Sequence, residues 1–107
     1  MKLYQQVHGC GPDVLLLHGW GLNSDVWSPL LSTPGGFRLR TLDLPGYGRS
    51  SESECLHTLD ALSTAVAAGI PGPAVWVGWS LGGLLALHAA CRWPDCAPRT
   101  CASRRPR

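Results

Sequence analysis

Along the chain the hydrophobic positions fall into short blocks whose period switches between two and about 3.6. Lys2 to Val7 alternates weakly and predicts an edge strand ending at the turn formers Gly9 and Gly11-Pro12. Val14-Leu15-Leu16-Leu17 is a continuous apolar run between Asp13 and Gly19, the pattern of a strand covered on both faces. Val26, Trp27, Leu30 and Leu31 then share one face at helical spacing. Asn23 or Ser24 can cap that helix, a start at Ser28 puts Pro29 at the favoured first position, and Pro34-Gly35-Gly36 stops it. Phe37 to Leu44 returns to period two and predicts a further strand, which runs into the glycine-rich stretch Pro45 to Ser50. Leu56, Leu59, Leu62 and Val66 predict a helix reaching Gly69, and Pro71-Gly72-Pro73 turns the chain again. Ala74-Val75-Trp76-Val77 reads as a buried strand, and Leu84 to Trp93 as a helix closed by Pro94. Beyond Pro94 there is no apolar run and no periodicity, so neither strand nor helix is expected, and the sheet stops being built.

The predicted order is therefore β-β-α-β-α-β-α, which implies an α/β fold: a mostly parallel sheet with helices on both faces. At 107 residues, 45% apolar and 15% charged, the chain makes one globular domain at most. It contains no internal repeat. The formal charge of +2 is concentrated in Arg99, Arg104, Arg105 and Arg107, a basic tail without interleaved aromatics or a binding fold, so no nucleic-acid partner is expected. Cys10, Cys55, Cys91, Cys96 and Cys101 are odd in number and form neither a Cys-x-x-Cys pair nor a ligand grouping with histidine. They read as free thiols in a reducing compartment, with Cys10, Cys55 and Cys91 as small apolar fillers. No apolar signal region precedes Gly9, and no run approaches the ~18 residues that span a bilayer. A cytoplasmic chain with no membrane partner is the expectation.

The chemistry concentrates at Gly78-Trp79-Ser80-Leu81-Gly82-Gly83, a Gly-x-Ser-x-Gly core between a predicted strand and a predicted helix. A nucleophile elbow occupies such a turn, holding its serine at a strained backbone angle with the hydroxyl clear of the sheet. Three motifs in order, His18-Gly19-Trp20-Gly21, Asp43-Leu44-Pro45-Gly46-Tyr47-Gly48-Arg49-Ser50 and Gly78 to Gly83, resemble the α/β-hydrolase family. The likeness runs from Leu3 to about Asp95. Within the family, Leu16 to Trp27 and Trp76 to Leu84 are similar to the carboxylesterases of biotin synthesis that act on a pimeloyl methyl ester carried on acyl carrier protein.

The resemblance implies the amino-terminal portion of an α/β-hydrolase sheet over residues 1–95, followed by an irregular basic tail over 96–107. It implies Ser80 as the nucleophile, the backbone amides of Leu81 and Trp20 as the oxyanion hole, and the Trp20 side chain as a wall of the acyl pocket. No metal or organic cofactor is implied. One oxyanion donor is worth about 3 kcal/mol in subtilisin.

In the family the triad acid and then the histidine follow the serine, on loops after further strands. Here Asp95 lies at a helix end and His88 inside the helix after the elbow, so neither takes those roles. Loss of the histidine alone costs about 10⁶ in turnover in subtilisin, so the chain by itself is expected to be nearly inert. The Arg-, Ala-, Pro- and Cys-rich tail suggests a frameshift or truncation near Asp95-Cys96. The competing readings are a non-catalytic fragment and a small interaction module that uses Trp20 and Trp79.

The remaining polar residues are expected to be structural. His18 should fix its loop by hydrogen bonding, and Asp43 and Arg49 should fix theirs. His57 and Asp60, three apart, belong to a solvated helix face. His88 reads as a half-buried helix residue, Trp79 sits inside the elbow, where it either touches substrate or packs, and His8 has no assigned role.

Overall fold

The computed structural model describes residues 3–32, 35–50, 58–72, 74–93 and 100–102, the last three by their backbone. Its strands are β1 (Gln5–His8), β2 (Asp13–Leu17), β3 (Arg38–Leu42), β4 (Val75–Gly78) and β5 (Thr100–Ala102), in the sheet order β1-β3-β2-β4-β5. β1 runs antiparallel to β3; β3, β2, β4 and β5 are mutually parallel. The mostly parallel α/β sheet that the alternation implies is present.

Register places the site. Leu17 stands level with Leu42 on one side and with Gly78 on the other. Three strands thus end together, and the segments after them, from His18, Asp43 and Trp79, emerge side by side at the carboxyl edge of the sheet. That edge is where open α/β sheets bind their ligands.

β2 is buried on both faces, as its unbroken apolar run requires: Leu15, Leu16 and Leu17 are all inaccessible. Leu15, Leu17, Leu42, Leu44 and Trp76 from the sheet region pack with Leu62 and Val66 of helix α2 (Leu59–Ala68) and with Leu85, Ala86 and Ala89 of helix α3 (Leu81–Arg92). The Thr58 hydroxyl starts α2 by accepting from the Ala61 N–H at 3.0 Å. α2 and α3 also pack on each other. No described helix is long and apolar enough to cross a membrane.

Three expectations are corrected. The helix predicted around Val26 to Leu31 is broken in two: a 3-10 turn over Ser24–Trp27, capped by the Asn23 side chain, and helix α1 over Ser28–Leu31. Proline at position 29 has no N–H to donate to the Asp25 carbonyl, so an α-helix begun at Asn23 cannot propagate. The Ser28 N–H takes that carbonyl instead, in the tighter 3-10 pattern. Trp27, not Ser28, is the N-cap residue of α1, and none of the residues of α1 is fully buried.

The second correction concerns the tail, where Thr100–Ala102 pairs with Trp76, Val77 and Gly78. The outer edge of β4 offers unpaired backbone groups, and any extended segment can satisfy them without an apolar signature. Third, Cys10 and Cys91 are exposed free thiols, not fillers. Cys10 sits on the projecting turn between β1 and β2, and Cys91 lies at the exposed end of α3; Cys55 lies outside the described residues.

Candidate active site

Ser80 joins β4 to α3 with φ 60° and ψ −116°, and among the described residues it is the one non-glycine residue with positive φ. Such a conformation costs on the order of 1–3 kcal/mol and persists only where its surroundings enforce it. Here backbone packing does so. The Trp79 N–H donates to the Leu17 carbonyl at 3.1 Å, the Gly82 N–H to the Trp79 carbonyl at 3.1 Å, and the Leu84 N–H to the Ser80 carbonyl at 3.0 Å. A Cβ on Gly78 would collide with the backbone of Gly82 and Gly83, and one on Gly82 with the Leu17 carbonyl. The two glycines let β4, α3 and the end of β2 touch backbone to backbone. Ser80 is left exposed, with its hydroxyl making no cap to α3.

The turn after β2 faces this elbow. A Cβ built on Gly19 would lie 3.3 Å from the Ser80 Cβ, so the Gly19-Trp20 peptide borders the serine. That peptide is oriented by its carbonyl, which takes the Leu22 N–H at 3.2 Å and His18 Nδ1 at 2.8 Å. On the other side of the imidazole the Leu44 N–H donates to His18 Nε2 at 2.9 Å. An Nε2 that accepts carries no proton, so the ring is the neutral Nδ1–H tautomer and Nδ1 donates to Gly19. Burial pushes the His18 pKa down, against the opposing pull of the Gly19 bond and the Asp43 charge. His18 is thus a neutral, inaccessible brace between the strand ends of β2 and β3, as expected of a loop-fixing residue.

Asp43 braces the same turn from its far side. Its Oδ1 accepts from the Ser24 N–H at 2.8 Å, and its Oδ2 accepts from the Arg49 N–H at 2.7 Å and from Arg49 Nε at 3.3 Å. Burial works to raise the Asp43 pKa, but the hydrogen bonds from Ser24 and Arg49 outweigh it and hold the carboxyl below its ordinary value. Arg49 also reaches Asp25 at 2.8 Å and lies 4.2 Å from the centre of the Tyr4 ring. Residues 43 and 44 therefore clamp both ends of the stretch His18–Ser24.

At the junction of the two turns, among the described residues, neither the Trp20 nor the Leu81 amide donates to a protein acceptor. The Leu81 amide is also the first N–H of α3, at the positive end of the helix dipole. Around them stands an apolar rim: Trp20 is 76% exposed, Leu84 52%, Trp79 50% and Leu22 36%. Trp20 and Trp79 thus stand in the open. Of the two readings of Trp79, full packing within the elbow is not what is found: its backbone is fixed by Leu17 and Gly82 while half of the residue is exposed.

No described histidine serves Ser80. His8 pairs with Leu39, at the opposite end of the sheet, beside a cleft of about 470 Å³ that His8, Cys10 and Phe37 help to line. His18 is engaged through both nitrogens. His88 bonds Asp60 at 2.6 Å, and that contact lowers the Asp60 pKa. His57 lies outside the described residues, so of the expected solvated helix face only Asp60 is described, and it is exposed. Twenty-eight residues separate Asp60 from His88, and only the packing of α2 on α3 brings them together, so no local spacing could reveal the pair. Among the described residues no cluster of three potential ligands for a metal ion occurs.

A parallel sheet with a strained serine at a strand-helix turn defines a class, the α/β hydrolases, and residues 12–98 match the family described as the alpha/beta hydrolase fold. The chain belongs to that family. Among curated relatives it is 45% identical over 96 residues to the pimeloyl-[acyl-carrier protein] methyl ester esterase of Vibrio cholerae, covering 89% of this chain and 37% of the relative. It is 50% identical over 94 residues to the protein of the same name from Serratia marcescens, covering 87% and 36%. Among solved structures, E-2-(acetamidomethylene)succinate hydrolase superposes with a TM-score of 0.79 at 30% identity, covering 92% of this chain and 38% of that one. The enol-lactonase of Burkholderia xenovorans LB400 gives 0.80 at 25% identity, covering 92% and 41%. The chain spans a little over a third of the length of the curated relatives it matches.

Proposed function

We propose that the chain carries the nucleophile and the oxyanion hole of a carboxylic ester hydrolase that works through an acyl-serine. Ser80 Oγ attacks the ester carbonyl carbon as a base, supplied from beyond the described residues, removes its proton. The carbonyl oxygen becomes an oxyanion held by the Trp20 and Leu81 amides. Collapse of the adduct breaks the bond to the alkoxy oxygen, which leaves as the alcohol after taking the proton back from the base. Water then attacks the acyl-serine, releases the acid and restores the Ser80 hydroxyl. No metal or organic cofactor enters these steps. The observation that carries this reading is Ser80 itself, held at positive φ beside two unengaged amides.

The substrate proposed is a pimeloyl methyl ester on acyl carrier protein, which would release methanol. The name that the Vibrio and Serratia relatives carry supports it. The exposed Trp20 ring is suited to one side of an apolar acyl chain. The test is a chimera in which residues 1–95 replace the matched stretch of the Vibrio cholerae esterase. A folded chimera that hydrolyses the methyl ester, and loses at least about 10³-fold of its rate on Ser80→Ala, supports the reading. A cooperatively melting chimera with no Ser80-dependent hydrolysis contradicts it.

A further inference from the structure

The end of the sheet opposite Ser80 carries a second concave surface. His8, Cys10, Leu31, Phe37 and Leu39 help to line a cleft of about 470 Å³, within the size range of small-molecule sites and about three times a cavity that takes up benzene. His8 is level with Leu39, and Leu39 with Val14, whereas Ser80 follows Gly78, which is level with Leu17. Three residues of strand, about 10 Å, therefore separate the cleft from the edge on which the serine stands.

Two features define what the cleft would hold. The first is an unmet hydrogen bond. His8 Nδ1 is buried and, among the described residues, has no partner; of the buried side-chain polar atoms left in that condition, it is the one whose residue lines the cleft. Leaving such an atom unmet is costly, and a ligand that bonds it recovers the loss. The second feature is charge. None of the described lining residues is Asp, Glu, Lys or Arg. Arg38 and Arg40 flank Leu39 in β3, but alternation sends them to the other face of the sheet, where they pair with Asp13. An ion entering the cleft would lose water without meeting a countercharge, whereas a neutral molecule would not. Leu31, Phe37 and Leu39 supply apolar walls, and the half-exposed Phe37 offers a ring for stacking.

We propose that this cleft is a binding site for a neutral, hydroxyl-bearing aromatic molecule of one or two rings. The rings would lie among Leu31, Phe37 and Leu39, and the hydroxyl would bond His8 Nδ1. A hydroxyl donates to a bare ring nitrogen and accepts from a protonated one, so the bond forms in either tautomer of His8. Cys10 borders the same space, and its exposed thiol reports on occupancy. The site uses neither Ser80 nor the Trp20 and Leu81 amides, so it stands whether or not the ester-hydrolase reading does.

Thiol protection tests it. The 107-residue chain is alkylated with iodoacetamide near neutral pH, with and without 2-naphthol at about 1 mM, and the rates at Cys10 and Cys91 are followed by peptide mass. The expected result is alkylation of Cys10 slowed at least about fivefold, with Cys91, on α3, unchanged. 2-Naphthoate, which has the same rings and a charge, should need at least about tenfold more for the same protection. His8→Leu keeps the wall and removes the nitrogen; the chain should melt no lower than before, and 2-naphthol should bind about tenfold more weakly. Phe37→Ala, at a half-exposed position, should weaken binding about threefold. No slowing at Cys10, equal slowing at both cysteines, protection by 2-naphthoate as strong as by 2-naphthol, or binding that both variants leave unchanged overturns the proposal.

Discussion

The two turns that meet at Ser80 are held by different forces. The elbow between β4 and α3 is fixed by volume: Gly78 and Gly82 let three backbones touch, and an added methyl group at either would strike main-chain atoms. The turn after β2 is fixed by polar ties, with His18 bound to Gly19 and Leu44 and with Asp43 bound to Ser24 and Arg49. Within that turn the site of a Cβ on Gly21 meets nothing within 4 Å. One half of the site should therefore respond to side-chain size and ignore pH, and the other half the reverse.

The largest effect expected is at the elbow. Gly82→Ala drives a methyl group into the Leu17 carbonyl and should cost about 3 kcal/mol or more, a large share of the stability of a domain of this size, read as a fall in melting temperature. Asp43→Ala comes next. It strands the Ser24 and Arg49 amides, for a loss of about 3 kcal/mol in urea unfolding. If Asp43→Ala were as mild as a surface substitution, the polar account of the second turn would fail.

Smaller, but more specific, is the acid limb of stability. His18 has a folded pKa lowered from 6.5, so the unfolded chain takes up its proton first as pH falls. The stability it confers is complete above pH 6.5 and is lost as pH drops from there toward the folded value. Asp43, also lowered, adds a second loss that begins below about pH 4. Asp60, held low by His88 on a surface remote from Ser80, contributes to that lower step, and Asp60→Asn isolates its part. His18 and Asp43 each change the slope by at most about 1.4 kcal/mol per pH unit. Melting followed from pH 7.5 to 3.5 should show both steps, and Asp43→Asn should flatten the lower one. Smallest of all is Ser80→Gly, which relieves the positive φ and should raise stability by about 1 kcal/mol; a loss instead would mean that the elbow is not strained.

The same contrast governs what could be read from the sequence. The elbow was legible because volume leaves a residue signature: Gly78, Ser80 and Gly82 at fixed spacing, between the apolar run of β4 and the helical pattern of α3. β2 was legible for a related reason, since a strand buried on both faces cannot alternate. The loop-fixing parts of His18, Asp43 and Arg49 were also foreseeable, but their partners were not. Leu44 and Ser24 contribute backbone N–H groups, which every residue type except proline supplies. β5 escaped notice because its strand pairing is likewise a backbone matter. The exposure of Cys10 and Cys91 escaped because apolar character does not decide the side on which a residue lands. In the 3-10 turn the missing N–H of Pro29 overrode the helical spacing of Val26, Trp27, Leu30 and Leu31.

The most direct measurement takes the chimera of residues 1–95 with the remainder of the Vibrio cholerae esterase, treats it with a serine-directed alkyl phosphonate and maps the adduct by peptide mass. The account predicts one phosphonate per chain, on Ser80, and none after Ser80→Ala. A folded, ester-hydrolysing chimera whose adduct lies on another serine would contradict it.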